Sequence, residues 1–204
     1  MAYKIIDITH DEDYEKYLYK CLAPAPYRQY SSRRKYLEKA IPEGFRKKLL
    51  IFNGEIVGQI EYGLPKASGY PIIGENLIVM NCVWVLRKAK GHGFGRLLVE
   101  DMIKSAASAD AFATIGLENH WSPWFRKWQM EKLGFKPLDK IDVTHKLKHP
   151  TQVFSIHLMW VPIKEEAVPP SWDKQRILEG QTFCLWHPLY RPQTHAGNIF
   201  EAKE

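Results

Sequence analysis

No stretch of this chain stays apolar for the ~20 residues that a membrane-spanning helix requires. The opening Met1-Ala2-Tyr3-Lys4 has no apolar signal core, so no membrane partner is expected and the cytoplasm is the expected location. Cysteine is scarce. Cys21, Cys82 and Cys184 form an odd, widely spaced set, which excludes a disulfide framework and points to buried thiols in a reducing compartment. Cys184 and His187 stand at a ligand-like interval, but no second pair completes a zinc set, so no metal is expected. Internal repeats and low-complexity segments are also missing, which leaves an ordinary globular domain as the frame.

What is present is concentrated in one stretch. Val83 to Leu86 close an apolar, β-branched run that begins at Leu77; Arg87-Lys88-Ala89-Lys90 is a basic turn; Gly91, Gly93 and Gly95 alternate with His92 and Phe94. A helical stripe of Phe94, Leu97, Leu98, Met102 and Ala106 follows at once. Glycines at alternate positions let main-chain N–H groups gather round an anion without Cβ atoms, and a helix start adds favourable partial charge. The unit therefore reads as a phosphate or pyrophosphate cradle, with a ligand-free tight turn as the alternative. Gly95-Arg96-Leu97 lacks the Gly-Lys-Ser/Thr of a Walker loop. The preceding chain reads as a hairpin, which excludes the first βα unit of a Rossmann fold.

Lys90-Gly91-His92-Gly93-Phe94-Gly95 resembles motif A of the GNAT superfamily of N-acetyltransferases, Gln/Arg-x-x-Gly-x-Gly/Ala, with lysine at the first position. Lys132-Leu133-Gly134-Phe135 resembles the end of motif B. Cys82-Val83-Trp84-Val85 also resembles the YoaP-like bacterial subgroup, whose members carry material after the acetyltransferase domain. The resemblance covers roughly residues 1–163. It implies an α/β (α+β) fold with a mixed, mostly antiparallel twisted sheet and helices on both faces. It implies acetyl transfer from acetyl-coenzyme A, the co-substrate, to a primary amine on a small molecule or peptide, by direct attack in a ternary complex. Trp84, Val85, Leu86, Lys90, Gly91, His92, Gly93, Phe94, Gly95, Arg96 and Asn119 would then contact the coenzyme. Met130 stands where many members carry the tyrosine that protonates the leaving thiolate, and methionine has no proton to give.

The general base is open among Glu61, Glu118 and His120. Each lies at the end of a predicted strand, where a solvated or packed side chain is the alternative. A non-catalytic coenzyme A-binding or protein-interaction module remains the alternative for the whole chain, and a nucleotide-binding protein is a second.

Other elements follow from local pattern. Tyr3 to Ile8 reads as a strand, and Thr9-His10-Asp11-Glu12 as a capping box opening a helix to Leu22, ended by Pro24 and Pro26. Ser31 to Ala40 reads as a helix. Lys48 to Phe52 and Glu55 to Tyr62 flank Asn53-Gly54, a strong hairpin signal. A loop over 63–76, a strand over 111–117, a helix over 124–133 capped by Ser122 and Pro123, and strands over 140–147 and 153–161 complete the expected domain. Residues 164–204 read as an irregular extension packed on the core, with Trp172, Phe183, Trp186, Tyr190 and Phe200 as anchors. The net charge of +6 lies in short basic clusters. It suits a multiply phosphorylated cofactor as well as nucleic acid, and no nucleic-acid signature accompanies it, so that partner is not expected. A homodimer stays open.

Overall fold

The computed structural model describes residues 2–22, 33–121, 123–146, 151–179 and 199–203. Its spine is an eight-stranded sheet ordered β1-β2-β3-β5-β6-β8-β7-β10. These strands are β1 (Tyr3–Asp7), β2 (Arg46–Phe52), β3 (Glu55–Gly63), β5 (Leu77–Val85), β6 (Ala111–Glu118), β7 (Lys136–His145), β8 (Val153–Pro162) and β10 (Phe200–Ala202). Every neighbouring pair is antiparallel except β5 and β6. A parallel pair needs a crossover, and α4 (Phe94–Ser105) supplies it.

Two adjacent lysines show how both faces are covered. Successive strand residues point to opposite faces. Lys48 ion-pairs with Asp101 of α4 at 2.7 Å. Lys47 reaches the other face, where α1 (Glu15–Leu18) and α2 (Arg33–Ala40) lie, and binds the Lys20 carbonyl at 2.5 Å. On the α4 face, Gly58 lets Leu98 approach; an added Cβ would meet Leu98 Cδ1 and Leu50 Cβ, each at 3.3 Å.

The hairpin at Asn53-Gly54 forms as read, with φ of 49° and 82°, the left-handed pair that a tight two-residue turn needs. The helix over 9–22 does not form as read. The Thr9 hydroxyl donates to Asp7 Oδ1 and accepts from the Lys47 N–H, so it serves the sheet and cannot cap. Asp11 caps a short 3-10 turn over Glu12–Tyr14, and only Glu15–Leu18 is α-helical. The loop over 63–76 holds α3 (Pro65–Ser68) and β4 (Ile72–Ile73). The helix after β6 is also shorter: α5 spans Lys127–Lys132 behind an Arg126 N-cap. Pro123 precedes that cap, and Ser122 lies outside the described residues. Phe125, at φ 47°, instead turns its carbonyl to the Leu117 N–H at 2.7 Å. Gly134 closes the helix at φ 99°, as a C′ glycine should.

Past Pro162 the chain returns to the sheet. β9 (Ser171–Trp172) pairs with β4, β10 pairs with β7, and Ile177, Leu178 and Phe200 join the main apolar core. Phe183, Cys184, Trp186, His187 and Tyr190 lie outside the described residues. Phe200 meets Phe154 edge-on at 5.7 Å between ring centroids, and Phe154 meets His120 at 4.6 Å. His120 also stacks on Trp121 at 4.1 Å. Burial, helped by His145 and Arg126, lowers the His120 pKa to about 4.

That depression makes stability depend on pH. Above about pH 6.5, the ordinary histidine value, His120 is neutral whether the chain is folded or not. As pH falls towards 4 the unfolded chain takes a proton that the native state refuses, so stability declines by at most about 1.4 kcal/mol per pH unit from this residue. Thermal melts between pH 7 and 4.5 should show a shallower decline for His120→Phe than for the wild type. Equal slopes would remove His120 as the source.

Candidate functional site

The site begins where β5 and β6 part. They pair only from Leu77 to Val79 against Ala111 to Ala113. Just beyond, Glu61 faces Cys82 while Tyr62 faces Met80, so Asn81 is an extra residue bulging out of β5. Its buried amide donates to the Ser68 carbonyl at 2.5 Å, and Thr114 Oγ1 ties Met80 O to β6 at 2.8 Å. From there β5 stays with β3 and β6 stays with β8. The Leu86 N–H is donated to Val57 of β3 at 2.8 Å. Hydrogen-bonding direction alternates along an antiparallel strand, so Trp84 and Leu86 turn their main-chain groups to β3, and Val83 and Val85 turn theirs to the gap. Of the three residues expected to line the gap, Val85 is the one whose N–H is aimed at it. The far end of the β6 edge is taken by Phe125, and a Cβ added at Gly116 would collide with the Met159 sulfur and lie 3.2 Å from Lys127 Cα.

At the mouth of the gap lies the glycine loop. Arg87–Ala89 form a 3-10 turn, Gly91 and Gly93 adopt φ of 90° and 72°, and Gly93 is the N-cap of the twelve-residue α4 without any side-chain cap. Among the described residues, the main-chain N–H groups of Gly91, His92, Gly93, Phe94 and Gly95 have no protein acceptor. Five successive donors at the positive end of a helix suit an anion. Cβ atoms added at Gly91 or Gly93 would meet nothing within 4 Å, so those glycines are there for backbone conformation, and Gly95 keeps only Leu133 Cδ2 at 4.0 Å. Arg87, Lys88, Lys90 and Arg96 are exposed around the loop, although Lys88 is paired with Glu55. His92 stacks on Phe94 and tilts against Phe52, each at 5.1 Å, and remains exposed.

The two carboxylates named from sequence stand on opposite faces. Glu61 is fully buried, paired with Arg33 at 2.5 Å and Lys47 at 2.8 Å. Arg33 also binds the Leu18 carbonyl at 3.1 Å, and Gln59 accepts from the Leu22 N–H at 2.9 Å. Lys47, Gln59 and Glu61 thus fasten the segment over 18–22 onto the sheet beside Trp84, the cross-strand neighbour of Gln59. Sequence reading missed Arg33, Lys47 and Gln59. Gln59 and Glu61 are polar residues at alternate positions of a largely apolar strand, whereas Arg33 and Lys47 each sit inside a short basic cluster. Glu118 ends β6 on the α5 face, paired with His157 at 3.0 Å and Lys127 at 3.4 Å, with 41% of its side chain exposed. The hydrogen bond from His157 lowers its pKa below the usual range. Asn119 follows at φ 60°, its carbonyl accepting from Gln152. His120 turns to the aromatic core described above.

Two further side chains bear on the chemistry. Met130 is buried in the core, 2% exposed. Cys82 is fully buried, and its contact with Cys21, followed by burial, holds its thiol well above the ordinary value, so it is no thiolate nucleophile.

Comparison with solved structures gives the same fold at low identity. An acetyltransferase from Bacillus subtilis in complex with CoA matches at 14% identity and a TM-score of 0.52, covering 80% of this chain and 100% of its own. Naa50 from Arabidopsis thaliana, in complex with a bisubstrate analogue, matches at 16% identity and a TM-score of 0.52, with 80% and 100% covered. The ribosomal-protein-S18-alanine N-acetyltransferase of Escherichia coli matches at 14% identity and 0.51, with 82% and 100% covered. Comparison with curated protein sequences finds no match. The sequence model of the acetyltransferase (GNAT) family matches residues 11–135, a span that takes in both the parted strands and the glycine loop, and the chain belongs to that family.

Proposed function

We propose that the protein transfers an acetyl group from acetyl-coenzyme A to a primary amine by direct attack in a ternary complex. The observation that carries this reading is the run of five unpartnered amides from Gly91 to Gly95 at the mouth of a gap between parallel strands. The pyrophosphate occupies the amides, with Lys90 beside it, and the pantetheine arm runs along the β5 edge. The Val85 N–H polarises the thioester carbonyl and stabilises the oxyanion that forms as the amine attacks. The C–S bond then breaks and coenzyme A departs as the thiolate. A buried, un-ionised Cys82 favours this direct route over an acyl-enzyme. Trp84 and Asn119 flank the arm from the two strands.

The carboxylates take different roles in this reading. Glu118 meets solvent and accepts the proton of the amine through water. Because His157 and Lys127 hold it ionised, its titration places no limb on the rate near neutral pH. Glu61 is a positioning residue that holds the 18–22 segment against Trp84. One observation favours the second reading, coenzyme A binding without turnover: the buried Met130 offers no proton to the thiolate.

Calorimetric titration should give micromolar binding of acetyl-coenzyme A, about −8 kcal/mol, and much weaker binding of NAD and ATP. Gly95→Val should weaken that affinity at least tenfold at an unchanged melting temperature, since its Cβ meets no neighbour closer than 4.0 Å. Unchanged affinity would reduce the loop to a turn. Binding without release of free thiol across an amine panel would establish the second reading.

Glu118→Gln should lower kcat at least tenfold at every pH from 6 to 9; a wild-type kcat would exclude it as the base. Glu61→Gln should instead lower the melting temperature and raise KM for acetyl-coenzyme A, whose arm Trp84 flanks, and for the amine beside it, leaving the shape of the pH profile unchanged. Its partners would become uncompensated buried cations, a loss of about 3–5 kcal/mol. A kcat loss at unchanged amine KM would contradict the positioning role.

A further inference from the structure

Two sulfurs meet at the Gln59 side chain. Its buried amide nitrogen lies 3.3 Å from Cys21 Sγ, 3.4 Å from Cys82 Sγ and 3.4 Å from Glu61 Oε1. The sulfurs also contact one another, the contact that raises the Cys82 thiol. Both residues are thiols, with no disulfide between them. Their surroundings differ. Cys82 is fully buried in β5, one residue past the Asn81 bulge, whereas Cys21 is partly exposed on the segment over 18–22. The Lys47 ammonium holds the carbonyl of the adjoining Lys20 at 2.5 Å, and its charge acts on the Cys21 sulfur. A neighbouring cation and access to solvent are what make a thiol reactive, and a second thiol in contact lets its oxidation stop short of irreversible acids.

We propose that Cys21 and Cys82 are a redox-modification site that closes to a reversible disulfide on exposure to hydrogen peroxide, Cys21 reacting first and Cys82 resolving it. The Cys21 sulfur attacks one peroxide oxygen, the O–O bond breaks, and the departing hydroxide takes the Cys21 proton to leave as water. The Cys82 sulfur then attacks the resulting sulfenic acid and the S–O bond breaks. The Cys82 proton passes to that leaving hydroxyl, which departs as the second water, so no resting thiolate is needed at Cys82. Peroxide is reduced by the two electrons that the thiols lose. A disulfide holds its sulfurs ~2.05 Å apart, closer than any non-bonded contact. The bond therefore draws the 18–22 segment onto β5 and displaces the Gln59 amide. Trp84, the cross-strand neighbour of Gln59, shares that face. Oxidation narrows the space beside the pantetheine arm and weakens the binding of acetyl-coenzyme A. This consequence, unlike the bond itself, rests on the coenzyme A reading.

Peptide mapping by mass spectrometry after treatment with equimolar hydrogen peroxide tests the bond, in the wild type and in Cys184→Ser, where no third thiol can exchange. The expected product is a Cys21–Cys82 peptide pair lighter by two hydrogens, restored by dithiothreitol. In Cys82→Ala the reaction should stop at a Cys21 sulfenic acid that dimedone traps. In Cys21→Ser, which alters a partly exposed side chain and leaves the core intact, Cys82 should stay reduced. Oxidation of Cys82 in Cys21→Ser overturns the proposal, as does a Cys21 sulfinic acid beside an intact Cys82 thiol in Cys184→Ser. Calorimetry on the oxidised protein should show acetyl-coenzyme A bound about tenfold more weakly, a loss of about 1.4 kcal/mol, and regained with dithiothreitol. Unchanged affinity overturns the effect on the site. A reduced protein that does not bind acetyl-coenzyme A overturns the coenzyme reading and that effect together, and the peptide pair alone then decides the bond.

Discussion

The parting of β5 from β6 is the constraint on which the site depends. Strands that pair from Leu77 to Val79 would ordinarily continue, because each unmade ladder bond leaves main-chain groups to be satisfied elsewhere. Here the bulge at Asn81 breaks the register, and Thr114 makes the last link across to Met80. Val83 and Val85 are left facing a gap. The chain then turns through its glycines into α4, whose first amides lack acceptors. Two sets of unsatisfied donors, one along a strand and one at a helix start, converge on the same opening. A ligand with an anionic group at one end and an amide-rich arm at the other satisfies both.

The opposite side of the sheet supplies the wall. Glu61 sits between two buried cations, and those cations hold the carbonyls of Leu18 and Lys20. Buried charges are costly unless paired and hydrogen-bonded. The gain is geometric: a segment with little regular structure is fixed over the strand that carries Trp84. Of the two carboxylates nominated from sequence for proton transfer, Glu61 is therefore occupied in holding the fold, while Glu118 is 41% exposed.

Much of this was legible in the amino-acid order. The alternating glycines, the basic turn and the apolar stripe of α4 are local signals, and they gave the loop and helix where they stand. The Asn53-Gly54 hairpin is local too. The failures were contests between local and long-range bonds. Thr9 reads as a cap, but its hydroxyl is claimed by Lys47, 38 positions away. Trp124 and Phe125 fall inside the helix read over 124–133, yet Phe125 turns its carbonyl to the β6 edge. The polar cluster round Glu61 joins α2, β2 and β3, and no window of the sequence brings those residues together. Asn81 and Cys82 did interrupt an apolar strand, but only the register shows that the interruption is the bulge that opens the site.

The measurement that tests the central claim most directly is a titration of ¹⁵N-labelled protein with acetyl-coenzyme A, followed at each backbone amide. The account predicts the largest shifts at Gly91 to Gly95, with Val85 moving in the same saturating transition, and no such pattern with NAD or ATP. Shifts confined to other surfaces, or an unmoved glycine loop at saturating ligand, would contradict it.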